Sequence, residues 1–209
     1  MKIILASSSP TRRYMLKKMG VDFVIEKPDC EETIEKNESM ESQVKRLAKE
    51  KARSVYSRFE KEKDVLILGF DSLVEVDNLI LGKPKTKKEA FEMFQKFGGK
   101  KVGTFTGMTI AGNVKGKYVE KTIVEKSWLV FRDDITNCQI RSFLDFNQWQ
   151  GKAGGITIEG IGAFLLADIK GDYQNVLGIP VIKMGEVMRE LTGQSPFSIF
   201  NCPLPISNL

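Results

Sequence analysis

Histidine is absent from all 209 residues of the chain. Its absence removes Ser-His-Asp and Cys-His nucleophilic catalysis, histidine-ligated zinc and imidazole acid–base chemistry together. An enzyme built from this sequence must work with Asp, Glu, Lys and Arg, and with a metal that takes oxygen ligands, such as Mg²⁺. Cysteine is scarce as well: Cys30, Cys138 and Cys202 stand far apart, with no C-x-x-C pair. An odd, scattered set points to reduced thiols rather than a disulfide framework or a zinc site. No apolar run approaches the roughly 18–20 residues of a membrane span. The start MKIILASSS has an apolar run too short for a secretory signal. The expectation is a cytoplasmic protein without a membrane partner.

What is present is ordinary for a globular chain: 42% hydrophobic and 28% charged residues. The length fits one large domain or two closely packed lobes. The net charge of +5 comes with Lys and Glu interleaved along the chain. That pattern reads as a solvated surface, and no nucleic-acid partner is expected.

Local patterns then order the elements. KIILA at 2–6 is a short strand, followed by a helix from about Pro10 to Met19 that Gly20 closes. VDFVI alternates like a strand, the acidic stretch 26–42 reads as a loop, and a basic helix runs from about Glu41 to Phe59. VLILGF at 65–70 has the continuous apolar character of a strand buried on both faces. LVEVDNLIL reads as a hairpin turning at Asp77-Asn78, and a helix covers about Thr86 to Phe97. Two long strands join through GNVKGK, ITNCQIRSFLDF is helical, and a glycine-rich stretch precedes a last helix from about Val181 to Leu191. The order implies a mixed α/β fold whose long central strands are antiparallel. The tail 193–209, with three prolines, reads as irregular.

Five places could carry chemistry. In LASSSPTRR, Ser9 is an N-cap and Pro10 the first helical residue, so Arg12 and Arg13 fall in the first turn. Cations are disfavoured there, because the free N–H groups already make that helix end positive. Ser7, Ser8 and Ser9 with those N–H groups are the elements of an anion site, and forked arginines suit phosphate oxygens. The other reading turns both arginines away to surface carboxylates. Asp71 follows the apolar run VLILGF, where it either faces a cleft or caps a turn. Glu31 and Glu32 are either a solvated acidic face or, with Asp71, oxygen ligands for a hard cation. Lys83, between Gly82 and Pro84, is presented either to phosphate or simply to solvent. Lys152 and Glu159 lie among five glycines that would let backbone approach a flat ligand.

Taken together, LASSSPTRR, PDCEE, RLAKEKA, GFDSLV, LGKPKTKKEA, GGKKVGTFTG, GKAGG, IEGIG and GDYQNVLGIPV resemble, in order and spacing, the Maf family of nucleotide pyrophosphatases, also named septum-formation inhibitors. The resemblance runs from residue 2 to about 192. It implies a single Maf-like domain over 1–192, elongated and mixed α/β, with two lobes around a central cleft as in inosine-triphosphate pyrophosphatases. It also implies cleavage of a nucleoside triphosphate between its α and β phosphates, with Mg²⁺ or Mn²⁺, and a homodimer. By position, Asp71 matches the aspartate of the A-D-T motif and would be the general base, and Glu32 the second acidic residue of the D-E motif. Both would hold the metal. Arg12, Lys51 and Lys83 match phosphate-binding cations, and Ser7 and Ser9 the serines of the first turn.

Departures bear on the base. One branch of the family prefers UTP, dTTP and modified pyrimidine nucleotides, and another 7-methyl-GTP. Thr11 in S-P-T-R-R, Val102 where the first branch has histidine, and Glu159 where it has glutamine resemble the second branch. Lys152 resembles the first. A carboxylate at 159 can accept hydrogen bonds from the ring N–H and exocyclic amine of guanine. The expected activity is therefore house-cleaning of modified nucleotides, inclined to 7-methyl-GTP-like purines. The alternatives are a UTP/dTTP pyrophosphatase or a non-catalytic, nucleotide-binding regulator of cell division.

Overall fold

The structure, a computed structural model, describes residues 1–33, 35 and 37–200. β1 (Lys2–Ala6) lies parallel to β2 (Val24–Glu26), with Leu5 opposite Ile25, and parallel to β3 (Val65–Val76), with Leu5 opposite Leu68. Ile3, Ile4, Leu5 and Ala6 are all buried, as in a parallel strand covered on both faces.

Alternation of side chains sorts these strands between two cores. Ile3, Leu5, Leu66, Leu68 and Phe70 pack with Met15 and Leu16 of α1 (Pro10–Lys18). Ile4, Ala6, Val65 and Ile67 pack with Ala52 and Val55 of α2 (Met40–Tyr56).

The apolar run and the alternating LVEV segment make one strand, so Asp71 sits within β3 and not beyond its end, where the sequence pattern put it. A single aspartate interrupts the polarity of the run without breaking extended backbone. β3 turns back into β4 (Leu79–Leu81) through Asp77 and Asn78, at φ 50° and 63°, the left-handed pair of a two-residue hairpin.

α3 (Lys87–Gln95) precedes β5 (Lys101–Val114) and β6 (Lys117–Phe131), which are joined by Lys115 and Gly116. α4 (Asn137–Asp145) starts with a capping box between Thr136 and Gln139. Two 3₁₀ turns, Ala153–Gly155 and Ile161–Leu165, lead to β7 (Leu166–Lys170), antiparallel to β6. α5 (Tyr173–Val176), α6 (Val181–Thr192) and α7 (Pro196–Ile199) complete the order. The sheet runs β2-β1-β3-β5-β6-β7, with β4 beside β3 off that path.

The tail is less irregular than its prolines imply. Ser195-Pro196 starts α7 as Ser9-Pro10 starts α1, and Ile199 is buried. Residues 201–209, including Cys202, lie outside the described residues.

The chain divides into two compact units. The first takes Met1–Ser72, Thr106–Glu125 and the chain from Leu177 on, and holds both cores above. The second takes Leu73–Phe105 and Lys126–Val176. It is built around tilted and edge-on rings: the centre of Phe94 lies 5.0 Å from that of Phe97, 6.2 Å from that of Phe131 and 4.8 Å from that of Phe143. Among the described residues no helix is long and apolar enough to cross a membrane.

Candidate active site

The charge crowded into the first turn of α1 has a use inside the fold. Ser9 caps the helix, its Oγ accepting the Arg12 N–H at 3.4 Å, and no acidic residue balances that turn. Arg12 points inward instead. Its Nε donates to the Gly178 carbonyl at 3.0 Å, Nη1 to the Phe70 carbonyl at 3.0 Å, and Nη2 to Ser72 Oγ at 2.9 Å. Nη1 also reaches Ser7 Oγ at 3.5 Å. The guanidinium thus fastens α1 to β3 and to the loop at Gly178. Burial lowers its pKa, opposed by the charges of Asp71 and Glu32. Arg12 pairs with no surface carboxylate among the described residues and gives most of its donors to the protein itself. Arg13 is exposed and has no ion pair among the described residues.

Lys51 and Asp71 meet because α2 lies directly on the sheet. A Cβ at Gly69 would stand 2.5 Å from the Ala48 carbonyl oxygen, and one at Gly107 would stand 2.0 Å from that of Val44. Only glycine at both places allows so close a docking. Asp71 shares the strand face of Gly69, two residues on, and Lys51 projects from the docked helix. Lys51 Nζ lies 2.6 Å from Asp71 Oδ1 and 2.9 Å from Glu32 Oε1. Lys51 and Asp71 are buried, whereas 63% of the Glu32 side chain is exposed. One ammonium therefore holds two carboxylates from different segments.

By resemblance these two carboxylates are also the expected metal ligands. Among the described residues no three acidic, cysteine or histidine side chains converge on one point. Two hard oxygen donors nonetheless suit Mg²⁺, which keeps most of its water and usually takes one or two carboxylates beside substrate phosphates. The donor set fits the ion.

The remaining candidates belong to the second unit. Lys83 is exposed, on a loop tied down by the Gly154 N–H donating to the Gly82 carbonyl at 2.9 Å. Gly154 has φ 62°, a left-handed turn that glycine makes without strain, and this brings the Lys152 segment against the Lys83 loop. Lys152 Nζ and Glu159 Oε2 are 3.1 Å apart, each side chain about a third exposed.

The first unit thus gathers Ser7, Ser9, Arg12, Glu32, Lys51 and Asp71, and the second carries Lys83, Lys152 and Glu159. That Ser72, Gly178 and the Phe70 carbonyl hold Arg12 is not legible in the sequence. Gly178 is 166 residues from Arg12, a separation no local spacing reveals.

Carboxylates, an ammonium and a guanidinium, with no histidine in the chain, make a set whose chemistry suits a polyanion. Comparison with known proteins narrows this class. The family described as Maf-like protein matches residues 2–191. A dTTP/UTP pyrophosphatase of Thermoanaerobacter sp. (strain X514) is 35% identical over 190 residues, covering 90% of this chain and 96% of that protein. A dTTP/UTP pyrophosphatase of Syntrophus aciditrophicus (strain SB) is 34% identical over 197 residues, covering 94% and 93%. A solved structure, the Staphylococcus aureus Ham1 protein, is 16% identical with a TM-score of 0.41, over 64% of this chain and 73% of that one. The chain belongs to the Maf family, as its ordered motifs imply.

Proposed function

We propose that the protein hydrolyses a nucleoside triphosphate between its α and β phosphates, releasing a monophosphate and pyrophosphate. It is a nucleoside triphosphate diphosphatase that works without histidine. The Lys51 ammonium shared by Asp71 and Glu32 carries this reading. Asp71 takes a proton from water as its oxygen bonds to the α-phosphorus, while the bond to the bridging oxygen breaks and the electron pair leaves on pyrophosphate. Lys51 orients the Asp71 carboxylate. Arg13 and Lys83 offer exposed cations to phosphate oxygens, and Ser7 and Ser9 offer hydroxyl protons. Arg12 contributes charge from its buried position and keeps the first turn in place. A divalent cation, Mg²⁺ or Mn²⁺, held by Asp71 and Glu32 would neutralise phosphate charge.

For the base, the relatives named as dTTP/UTP pyrophosphatases favour uracil and thymine. Glu159 favours a second reading, a guanine-type base such as 7-methylguanine, because a carboxylate accepts from both a ring N–H and an exocyclic amine. The test is pyrophosphate release from a panel of nucleoside triphosphates, with Mg²⁺ and with EDTA. Release that depends on the metal is expected, and Glu159→Gln should shift preference from guanine towards uracil. Nucleotide binding without release from any triphosphate would overturn the enzyme in favour of a regulator.

A further inference from the structure

Glu75 places a carboxylate on the sheet of the second unit. It lies four residues after Asp71 in β3, and its Oε2 is buried with no hydrogen-bond partner among the described residues. The side chain folds over β5 at Gly103, where a Cβ would meet Glu75 Cγ at 3.0 Å and Oε1 at 3.2 Å. Phe105, two residues on in β5, is buried, and Lys126 Nζ stands 5.4 Å from the centre of its ring. Burial raises the Glu75 carboxyl pKa, and the Lys126 charge opposes it.

Gln43 Oε1 and Asp172 Oδ2 are also buried with no hydrogen-bond partner among the described residues. Asn113, by contrast, bonds the Tyr56 hydroxyl and the carbonyls of Glu60 and Glu62. A buried carboxylate oxygen without a donor is costly, and an apolar residue would fill the place above Gly103 without that cost. What is missing from the Glu75 site is an N–H.

We propose that Glu75 reads the substrate's base, its buried oxygen accepting the ring N–H of uracil, thymine or guanine. The inference rests on the pyrophosphatase reading and extends it to a residue outside the motifs that carry the family resemblance. Uracil and thymine present N3–H, and guanine N1–H, each flanked by a carbonyl. Cytosine N3 and adenine N1 carry a lone pair at the matching place, which a carboxylate repels. Glu75 therefore selects bases with a ring N–H against the others and does not decide between pyrimidine and guanine, a choice that falls to Glu159.

The test compares kcat/KM for UTP, dTTP, GTP, CTP and ATP in the parent protein and in Glu75→Gln, with thermal melting as a check on folding. A glutamine amide can offer N–H to the lone pair of cytosine or adenine. The UTP-to-CTP and GTP-to-ATP ratios should therefore fall by about tenfold or more, the scale of one hydrogen bond to a charged group. If Glu75→Gln does not fold, Glu75→Asp, which withdraws the carboxylate by one methylene, should narrow the same ratios. Equal losses on all five nucleotides, or unchanged ratios, would overturn the role of Glu75 while leaving the pyrophosphatase reading intact. A parent protein that cleaves none of them, and 7-methyl-GTP no better, would sink both.

Discussion

Lys51 Nζ and Asp71 Oδ1 lie 2.6 Å apart, and both side chains are buried. Twenty residues separate them in sequence, and they meet because α2 rests on the bare backbone of Gly69 and Gly107. A buried ion pair of this kind adds little net stability, yet it becomes costly when one partner is removed. It therefore serves to orient Asp71 rather than to hold the fold together.

Asp71→Asn keeps the shape and a hydrogen-bond acceptor but loses the base. Pyrophosphate release should fall by about 10²–10⁴-fold in kcat, the usual worth of general-base catalysis, and the melting temperature should also drop, because the buried Lys51 keeps only the exposed Glu32 as its charged partner. Turnover close to that of the parent would remove Asp71 from the assigned role.

Lys51→Met leaves the Asp71 charge buried beside an apolar chain. The cost should be about 3–5 kcal/mol in urea unfolding. The double variant Lys51→Met, Asp71→Leu should recover much of it and remain inactive. A double variant no more stable than the single would show that the pair itself supports the fold.

Arg12→Met should destabilise the first unit, because the carbonyls of Phe70 and Gly178 each lose a buried donor. At about 1–3 kcal/mol per unsatisfied group, the total is roughly 2–6 kcal/mol. A side chain used only on substrate would leave the urea midpoint of the free protein unmoved.

Gly69→Ala forces a methyl against the α2 backbone, 2.5 Å from the Ala48 oxygen and 2.8 Å from the Ala52 nitrogen. Because backbone cannot yield as a flexible side chain can, α2 must shift and carry Lys51 with it. Stability should drop by about 1–3 kcal/mol, and kcat should fall although no reacting group has changed.

Glu120 supplies a pH signature. Burial alone would raise its pKa, but hydrogen bonds from Arg53, Tyr118 and Lys49 outweigh this and bring it down to about 2 from 4.5. A depressed carboxylate stabilises the native state above its unfolded pKa and loses that contribution as pH falls through its folded one. Discounted for Arg53, which is 56% exposed, Glu120→Gln should cost on the order of 1–2 kcal/mol at pH 7. The difference from the parent should shrink between pH 4.5 and 2. A gap that stays constant over that window would show the shift to be absent.

Much of the fold was legible because local chemistry dictated it. Asp77-Asn78 and Lys115-Gly116 turn where left-handed residues are tolerated, and both hairpins formed there. The helix starts at Ser9-Pro10 and Thr86 are where capping chemistry put them. The opposite holds for Asp71, whose place inside a continuous strand depends on what covers β3. The glycine-rich setting of Lys152 and Glu159 marks them in the sequence, but their mutual ion pair is set by the fold of that loop.

By itself the sequence determined the class of chemistry. A chain without histidine, but with arginine at a helix start and carboxylates at motif positions, can act on phosphate and has no means for imidazole catalysis. It also determined the elements, since turn residues and apolar periodicity act over a few positions. Only the tertiary structure decided what each charge does. Arg12 finds acceptors 58 and 166 residues away, and Lys51 finds Asp71 across the packing of a helix on a sheet and Glu32 on the segment between β2 and α2. The reason is that burial fixes which hydrogen bonds a charge must make, and burial depends on distant segments coming together.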